Sequence, residues 1–323
     1  MQVAARVEHW PLARPFTIAR GSKRTADVVV AVVSDDRHEG RGECVPYARY
    51  GHTVAGVAAE IGDFRGPYDR QALLADMPPG PARNAIDCAL WDFEAKATGR
   101  PVWQLANARR PRRVTTAFTI SLDSVKAMGA QASRGRGHAL LKIKLGSDDA
   151  GADVARLAAV RRGAPGARLI VDANEGWTMD ALAHFVPHAV AAGVELIEQP
   201  LPAHADRELA GFASPVPVAA DESLVEGADL DALAARYQAV NIKLDKTGGL
   251  TRALALTRQV RALGLDVMIG CMVSTSLAMA PALLLADCAR FVDLDGPLLL
   301  ARDRQPGLAY NGDSVEFSTD VWG

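Results

Sequence analysis

The chain reads as an α/β protein, a (β/α)8-type barrel preceded by a smaller α+β module, and three observations predict this. Its 323 residues, 49% of them hydrophobic, exceed what a single core usually holds, so one large and one small unit are expected. After Pro111, eight short apolar runs alternate with helix-length segments, the pattern of parallel strands joined by helices. Charged residues stand at the tails of those runs at nearly constant spacing: 28, 26, 23 and 25 residues separate Lys144, Asp172, Glu198, Asp221 and Lys246.

Taken in order, residues 1–110 form the α+β module. Ala26 to Val33 is a continuous apolar strand candidate, and Asn84 to Thr98 has the period of an amphipathic helix ending at Gly99-Arg-Pro. Ile86, Ala89, Leu90 and Phe93 share its apolar stripe. The Gly- and Pro-bearing stretch from Arg41 to Gly51 reads as loop. Residues 111–306 form the barrel, with strands expected near 113–121, 139–145, 168–173, 194–198, 216–221, 238–244, 265–271 and 290–294. Helices fit between them at 123–134, 153–162, 178–192, 250–263 and 276–286. An open sheet is the alternative, but no phosphate-binding glycine motif follows any strand, and polar residues end many strands rather than one switch point. Residues 307–323 hold no further strand–helix unit and are long enough to return to the first module.

Bulk properties narrow the function. A formal charge of -2 and no long basic run argue against a nucleic-acid partner. The four cysteines lack metal-ligand or paired spacing. The expectation is a soluble cytoplasmic protein with a small-molecule substrate and neither nucleic-acid nor membrane partners. An Ala-rich helix shell is consistent with a monomer or a homo-oligomer.

Residues two apart in a strand face the same side, so Lys142 and Lys144 project together from an apolar run. Either they reach the barrel mouth, where active sites of such barrels lie, or they snorkel to solvent. Asp172, Glu198 and Asp221, from consecutive strands, converge on one sector of the mouth. Three such anions call for a cation, and oxygen ligands without His or Cys point to one Mg²⁺ (or Mn²⁺) rather than zinc. Taken singly, Asp172 also suits a cap and Asp221-Glu222 a solvated loop pair. Lys246 lies on the sixth run, opposite Lys144 in a ring of eight. A substrate carbon between the two lysines would have a base on each face, the geometry of a two-base epimerisation. The alternative for Lys246 is a salt bridge to Asp245 or Asp221. Asp293 and Asp295, on the eighth run, share a face and suit a substrate ammonium group, although Asp295 also suits a turn before Gly296-Pro297.

These motifs together resemble the enolase superfamily in its muconate-lactonizing-enzyme subgroup, and within it the dipeptide epimerases acting on L-Ala-D/L-Glu. The matches are Lys142-Ile-Lys144, Val171-Asp172-Ala-Asn174, Glu198-Gln-Pro200, Ala220-Asp221-Glu-Ser223, Lys246 and Asp293-Leu-Asp295. A Lys or His base paired with Mg²⁺ is a known property of this superfamily rather than an inference from this chain. The resemblance implies that residues 1–110 are a capping domain whose loop at 20–25 closes over the mouth. Lys142, Lys144 and Lys246 would then be catalytic, Asp172, Glu198 and Asp221 would hold Mg²⁺, and Asp293 and Asp295 would hold the amino group. Arg24 or Lys23 would meet a glutamate side chain, with Thr116 and Ser274 near the substrate. The expected reaction is Mg²⁺-dependent epimerisation of a dipeptide such as L-Ala-D/L-Glu at the C-terminal α-carbon, in the salvage of cell-wall peptides. The sister activities are N-succinylamino acid racemase, o-succinylbenzoate synthase and muconate cycloisomerase, whose substrates leave Asp293 and Asp295 without an ammonium partner. A non-catalytic Mg²⁺-dependent binding protein is a further alternative. The acid-sugar dehydratases use a His base near strands 6 and 7, and no histidine falls between Tyr237 and Ala301.

Overall fold

The computed structural model describes residues 1–323. β1 (Gln2–Ile18), β2 (Gly21–Ser34) and β3 (Glu39–Cys44) form an antiparallel sheet in that order. α1 (Val54–Gly62), α2 (Arg70–Asp76), α3 (Pro81–Thr98) and the short α4 (Val102–Leu105) follow. β2 is apolar from Val28 to Val33 because both of its faces are covered there. Val29, Ala31 and Val33 pack with Ile86, Ala89 and Leu90 of α3, while Val30 and Val32 join the core shared with the barrel. β1 lies on the open edge of this sheet, and its residues alternate between exposed and half-buried, a pattern too weakly apolar to announce a strand.

Arg41 to Cys44 belongs to β3 rather than to the expected loop, and Gly40 and Gly42 serve that strand. A Cβ at Gly42 would stand 2.1 Å from the Ala85 carbonyl oxygen, and one at Gly40 2.2 Å from that of Ala89, so the close approach of α3 excludes side chains there.

The barrel comprises β4 (Val114–Thr115), which pairs outside it, then β5 (Phe118–Ile120), α5 (Val125–Arg134), β6 (Leu140–Lys144), α6 (Ala150–Gly163), β7 (Arg168–Asp172), α7 (Met179–Ala191) and β8 (Val194–Glu198). It continues with β9 (Val218–Ala220), α8 (Leu230–Ala234), β10 (Ala239–Ile242), α9 (Leu244–Thr247), α10 (Leu250–Ala262), β11 (Asp266–Gly270), α11 (Ser276–Ala282), β12 (Phe291–Asp293) and α12 (Gly296–Leu299). β5 to β12 form one parallel eight-stranded sheet in sequence order. Its edges meet where Ala117 N donates to Val292 O at 2.8 Å and Leu294 N donates to Thr116 Oγ1 at 2.9 Å. A 3-10 turn at Asp206–Leu209 stands between β8 and β9, where the repeat leads one to expect a full helix. Side-chain caps from Ser124, Asp149, Thr178, Asp229 and Thr275 start α5, α6, α7, α8 and α11.

Period-two alternation sorts the barrel into layers. Leu140, Ile170, Leu196, Ala219, Ala239, Met268 and Phe291, with Ala117 beside β5, make one buried cluster with a residue from every strand. Two residues further along the same faces come Lys142, Asp172, Glu198, Asp221, Asn241, Gly270 and Asp293. The intervening residues, among them Leu141, Val171, Ile197 and Val240, point outward into the main core under the helices. An apolar plug therefore carries a polar layer directly above it.

After α12, β13 (Ala309–Asn311) and β14 (Ser314–Glu316) pair with each other and with β4. The last residues reach the first module, where the Trp322 indole donates to Cys88 O at 2.9 Å and Gly323 N to Asp92 at 2.8 Å. No helix is long and apolar enough to cross a membrane.

Candidate active site

The polar layer brings three carboxylates together. Asp172 ends β7, Glu198 ends β8 and Asp221 follows β9, and an oxygen from each lies within 4.8 Å of the others, all buried. Lysines surround them. Lys142 Nζ lies 2.7 Å from Glu198, 2.8 Å from Asp293 and 3.3 Å from Asp172. Lys144 reaches Asp172 at 2.6 Å, and Lys243 reaches Asp221 at 2.6 Å. Burial works against the charge on Lys142, yet Asp293, Glu198 and Asp172 outweigh it and hold its pKa well above the lysine norm. Burial also opposes ionisation of Asp221, and Lys243, Lys246 and Lys142 overcome it. Glu198 goes the other way, raised by burial and then by the charge of Asp172.

The supporting groups fix these carboxylates. Asn241 Nδ2 donates to Glu198 Oε1 at 2.7 Å, and Gly270 makes room for it, since a Cβ there would meet Asn241 Oδ1 at 2.5 Å. Gln199 Oε1 accepts from Asp221 N at 2.9 Å and from Ser223 N at 3.1 Å. Asn174, Glu175 and Gln199, just beyond the ends of β7 and β8, have φ of 47, 67 and 34°. Such backbone costs about 1–3 kcal/mol per residue and persists where surrounding contacts hold it.

A cavity of about 270 Å³ opens above this layer. Lys144 from β6 and Lys243 after β10, four strands away in a ring of eight, both line it. Phe16, Arg20 and Lys23, from the β1–β2 hairpin, line its roof. Arg20 holds this hairpin down. It donates to Asn174 O at 2.7 Å, Glu175 at 3.2 Å, Tyr47 at 3.2 Å and Glu222 at 2.6 Å. Arg49 adds a two-pronged contact to Glu175, both distances 2.8 Å.

Several expected site residues sit elsewhere. Lys246 lies in α9, does not line the cavity, and is buried against Asp221 and the Asn241 carbonyl at 3.1 Å, the salt-bridge alternative. A helical turn after Lys243 carries Lys246 off the strand's inner face. Lys243 keeps the parity of Ala239 and Asn241, and that parity was the signal for it in the sequence. Arg24 is exposed, one residue out of step with Lys23, because neighbours in the strand point to opposite sides. Thr116 is fully buried and spends its hydroxyl on Leu294 N at the barrel seam. Ser274 is likewise buried and absent from the cavity lining. Asp293 and Asp295 are buried beside the polar layer rather than in the cavity wall. Asp293 Oδ2 takes Lys142 while its Oδ1 has no hydrogen-bond partner, and Asp295 accepts from Thr119 N at 2.6 Å.

The donor set fits a hard divalent cation. It offers only carboxylate oxygens, without His or Cys. Glu198 Oε2 is buried with the Lys142 ammonium, 2.7 Å away, as its ion-pair partner and no hydrogen bond of its own.

A parallel barrel with acidic residues ending three consecutive strands and a lysine on either side defines a class. The chain belongs to the enolase superfamily: residues 1–106 match the mandelate racemase/muconate lactonizing enzyme N-terminal domain, and residues 127–298 match the enolase C-terminal domain-like family. Within it the chain is similar to the dipeptide epimerases. It is 44% identical over 309 residues to the L-Ala-D/L-Glu epimerase of Escherichia coli strain K12, covering 94% of this chain and 95% of that one. It is 43% identical over 303 residues to an N-acetyl-D-glutamate racemase of Pseudoalteromonas sp., covering 92% and 95%. A crystal structure of an Agrobacterium tumefaciens enolase family member with homology to dipeptide epimerases, bound to sodium and L-Ala-L-Glu, superposes with a TM-score of 0.96. The two chains are 48% identical, with 99% of each covered.

Proposed function

We propose that this enzyme epimerises dipeptides of the L-Ala-Glu type at the α-carbon of the C-terminal residue. The observation that carries the reading is the pair of lysines, Lys144 and Lys243, lining one cavity from opposite strands. A carbon held between them can lose its proton to one amine and regain it from the other on the opposite face, which inverts the centre. Lys243 takes the role expected of Lys246. Asp172, Glu198 and Asp221 would hold Mg²⁺, whose charge would favour the substrate carboxylate as it gains electron density. Lys142, kept cationic by its neighbours, adds a fixed positive charge at the same place. Lys23 on the roof offers a counter-charge to an acidic side chain, and burial lowers its pKa despite Asp27 nearby. Asp293 does not line the cavity, so a substrate ammonium would have to reach its buried, unpartnered Oδ1 in the layer beneath.

Similarity to the N-acetyl-D-glutamate racemase supports a second reading, an N-acylated glutamate. The two substrates differ in the free ammonium, so the experiment offers both. Each is incubated with enzyme and Mg²⁺ in D₂O, following the α-proton and the second stereoisomer by NMR. The dipeptide reading expects faster inversion of L-Ala-L-Glu. Faster inversion of N-acetylglutamate would replace it, and exchange with neither would remove both.

A further inference from the structure

The Thr247-Gly-Gly249 run is unused by the chemistry, and its surroundings suggest what it does. Lys243 is the residue before the one-turn helix α9, and the first module grips that helix along its length. Asp245 Oδ1 accepts from Val45 N at 3.1 Å and from Asn84 Nδ2 at 2.9 Å. Arg83 donates to Gly248 O at 3.0 Å and to Thr247 O at 2.9 Å, capping the carbonyl end of α9. Thr251 N, in the next turn, donates to Asp87 at 2.9 Å, and Trp91 donates to the Thr251 hydroxyl at 2.9 Å. Arg83, Asn84, Asp87 and Trp91 all belong to α3.

The two glycines make this grip fit. Gly248 and Gly249 have φ of 69 and 120°. A Cβ on Gly248 would stand 2.6 Å from the Arg83 guanidinium, and one on Gly249 2.5 Å from the Asp87 carboxylate. Both backbone angle and contact distance therefore demand glycine. The first module touches Lys144 only by packing, with the Phe16 ring 6.0 Å from its Nζ, and makes no hydrogen bond to the turn that follows it. The turn after it is tied within the barrel by Asp153, which accepts from Gly146 N and Ser147 N, each at 3.0 Å, and from the Trp177 indole at 2.9 Å.

We infer that Asp245 and Asn84 are positioning residues for Lys243 alone, so that the first module sets proton transfer on one face of the substrate and the barrel sets it on the other. The inference rests on the two-lysine reading. Loosening α9 shifts one amine relative to the α-carbon, and a misplacement of about 1 Å can cost about 10²-fold in rate. A general structural defect would slow both faces together.

The test measures first-turnover deuterium exchange in D₂O, with Mg²⁺, from L-Ala-L-Glu and L-Ala-D-Glu separately. Lys243→Ala identifies the diastereomer whose proton faces Lys243. Asp245→Ala and Asn84→Ala are expected to slow that same diastereomer at least about tenfold more than the other. Asp245→Asn, which keeps the accepting oxygen, is expected to restore the balance. Equal slowing of both diastereomers, or of neither, overturns the inference while leaving epimerisation intact. Absence of exchange with the unsubstituted enzyme overturns the functional reading and this one with it. Asn84→Ala keeps the test usable if Asp245→Ala does not fold, with circular dichroism checking each variant.

Discussion

The two lysines that face each other across the cavity are held in different ways. Lys144 is the last residue of a five-residue strand, and the turn beyond it is pinned by Asp153, Trp177 and Arg156, all barrel residues. Lys243 sits just past its strand, and α3 of the first module grips the helix that follows. On the two-base reading, the barrel supplies one base by strand geometry alone. The second then draws on a neighbouring module, and the first module is more than a lid.

The metal site should not respect this division. Asp172 lies at 2.6 Å from Lys144 and shares a layer with Asp221, the partner of Lys243, so Asp172→Asn or chelation of Mg²⁺ should stop exchange at both faces. Calorimetry of the variant should show Mg²⁺ binding lost; retained binding with full activity would move the metal elsewhere. A smaller effect belongs to the roof. Lys23→Ala should lower kcat/KM for L-Ala-L-Glu by about 30-fold or more and much less for L-Ala-L-Leu, measured as initial rates on both, because removing one partner of a desolvated charge pair costs about 2–5 kcal/mol. Arg20→Ala frees the β1–β2 hairpin from Glu222 and the loop after β7. It should raise KM several-fold with a smaller change in kcat, and without favouring either diastereomer.

The smallest effect concerns stability. Burial, with help from Glu43, raises Asp245 from 3.8 to about 7 against the hydrogen bonds from Val45 and Asn84 and the charge of Lys243. The folded protein thus keeps this proton up to about pH 7, whereas the unfolded chain releases it near 3.8. The folded state binds more protons in that window, so this group's contribution to stability falls as pH rises through it. Asp245→Asn should flatten that part of the profile in urea titrations at several pH values, and an unchanged slope would contradict the burial argument.

Much of this site was legible in the sequence because strands impose a strict parity. Lys142, Lys144, Asp172 and Glu198 announce themselves as charges in phase with a buried apolar layer. The same rule identifies Lys243. Regular spacing between runs pointed instead to Lys246, which a turn of helix had already carried away from the mouth. Arg20, Glu175 and Asn84 gave no such signal, since their roles come from loops and modules that only the folded chain brings together. Gly42 of β3 read as a loop residue for a related reason: what forbids a side chain there is α3, distant in sequence.

The central claim, a base on each face, is most directly tested by deuterium exchange with Lys144→Ala and Lys243→Ala, each given L-Ala-L-Glu and L-Ala-D-Glu in turn. The account predicts complementary failures: neither variant epimerises, and each still exchanges the α-proton of one diastereomer, a different one for each variant. Exchange of both diastereomers by Lys243→Ala, with one face lost instead in Lys246→Ala, would contradict it.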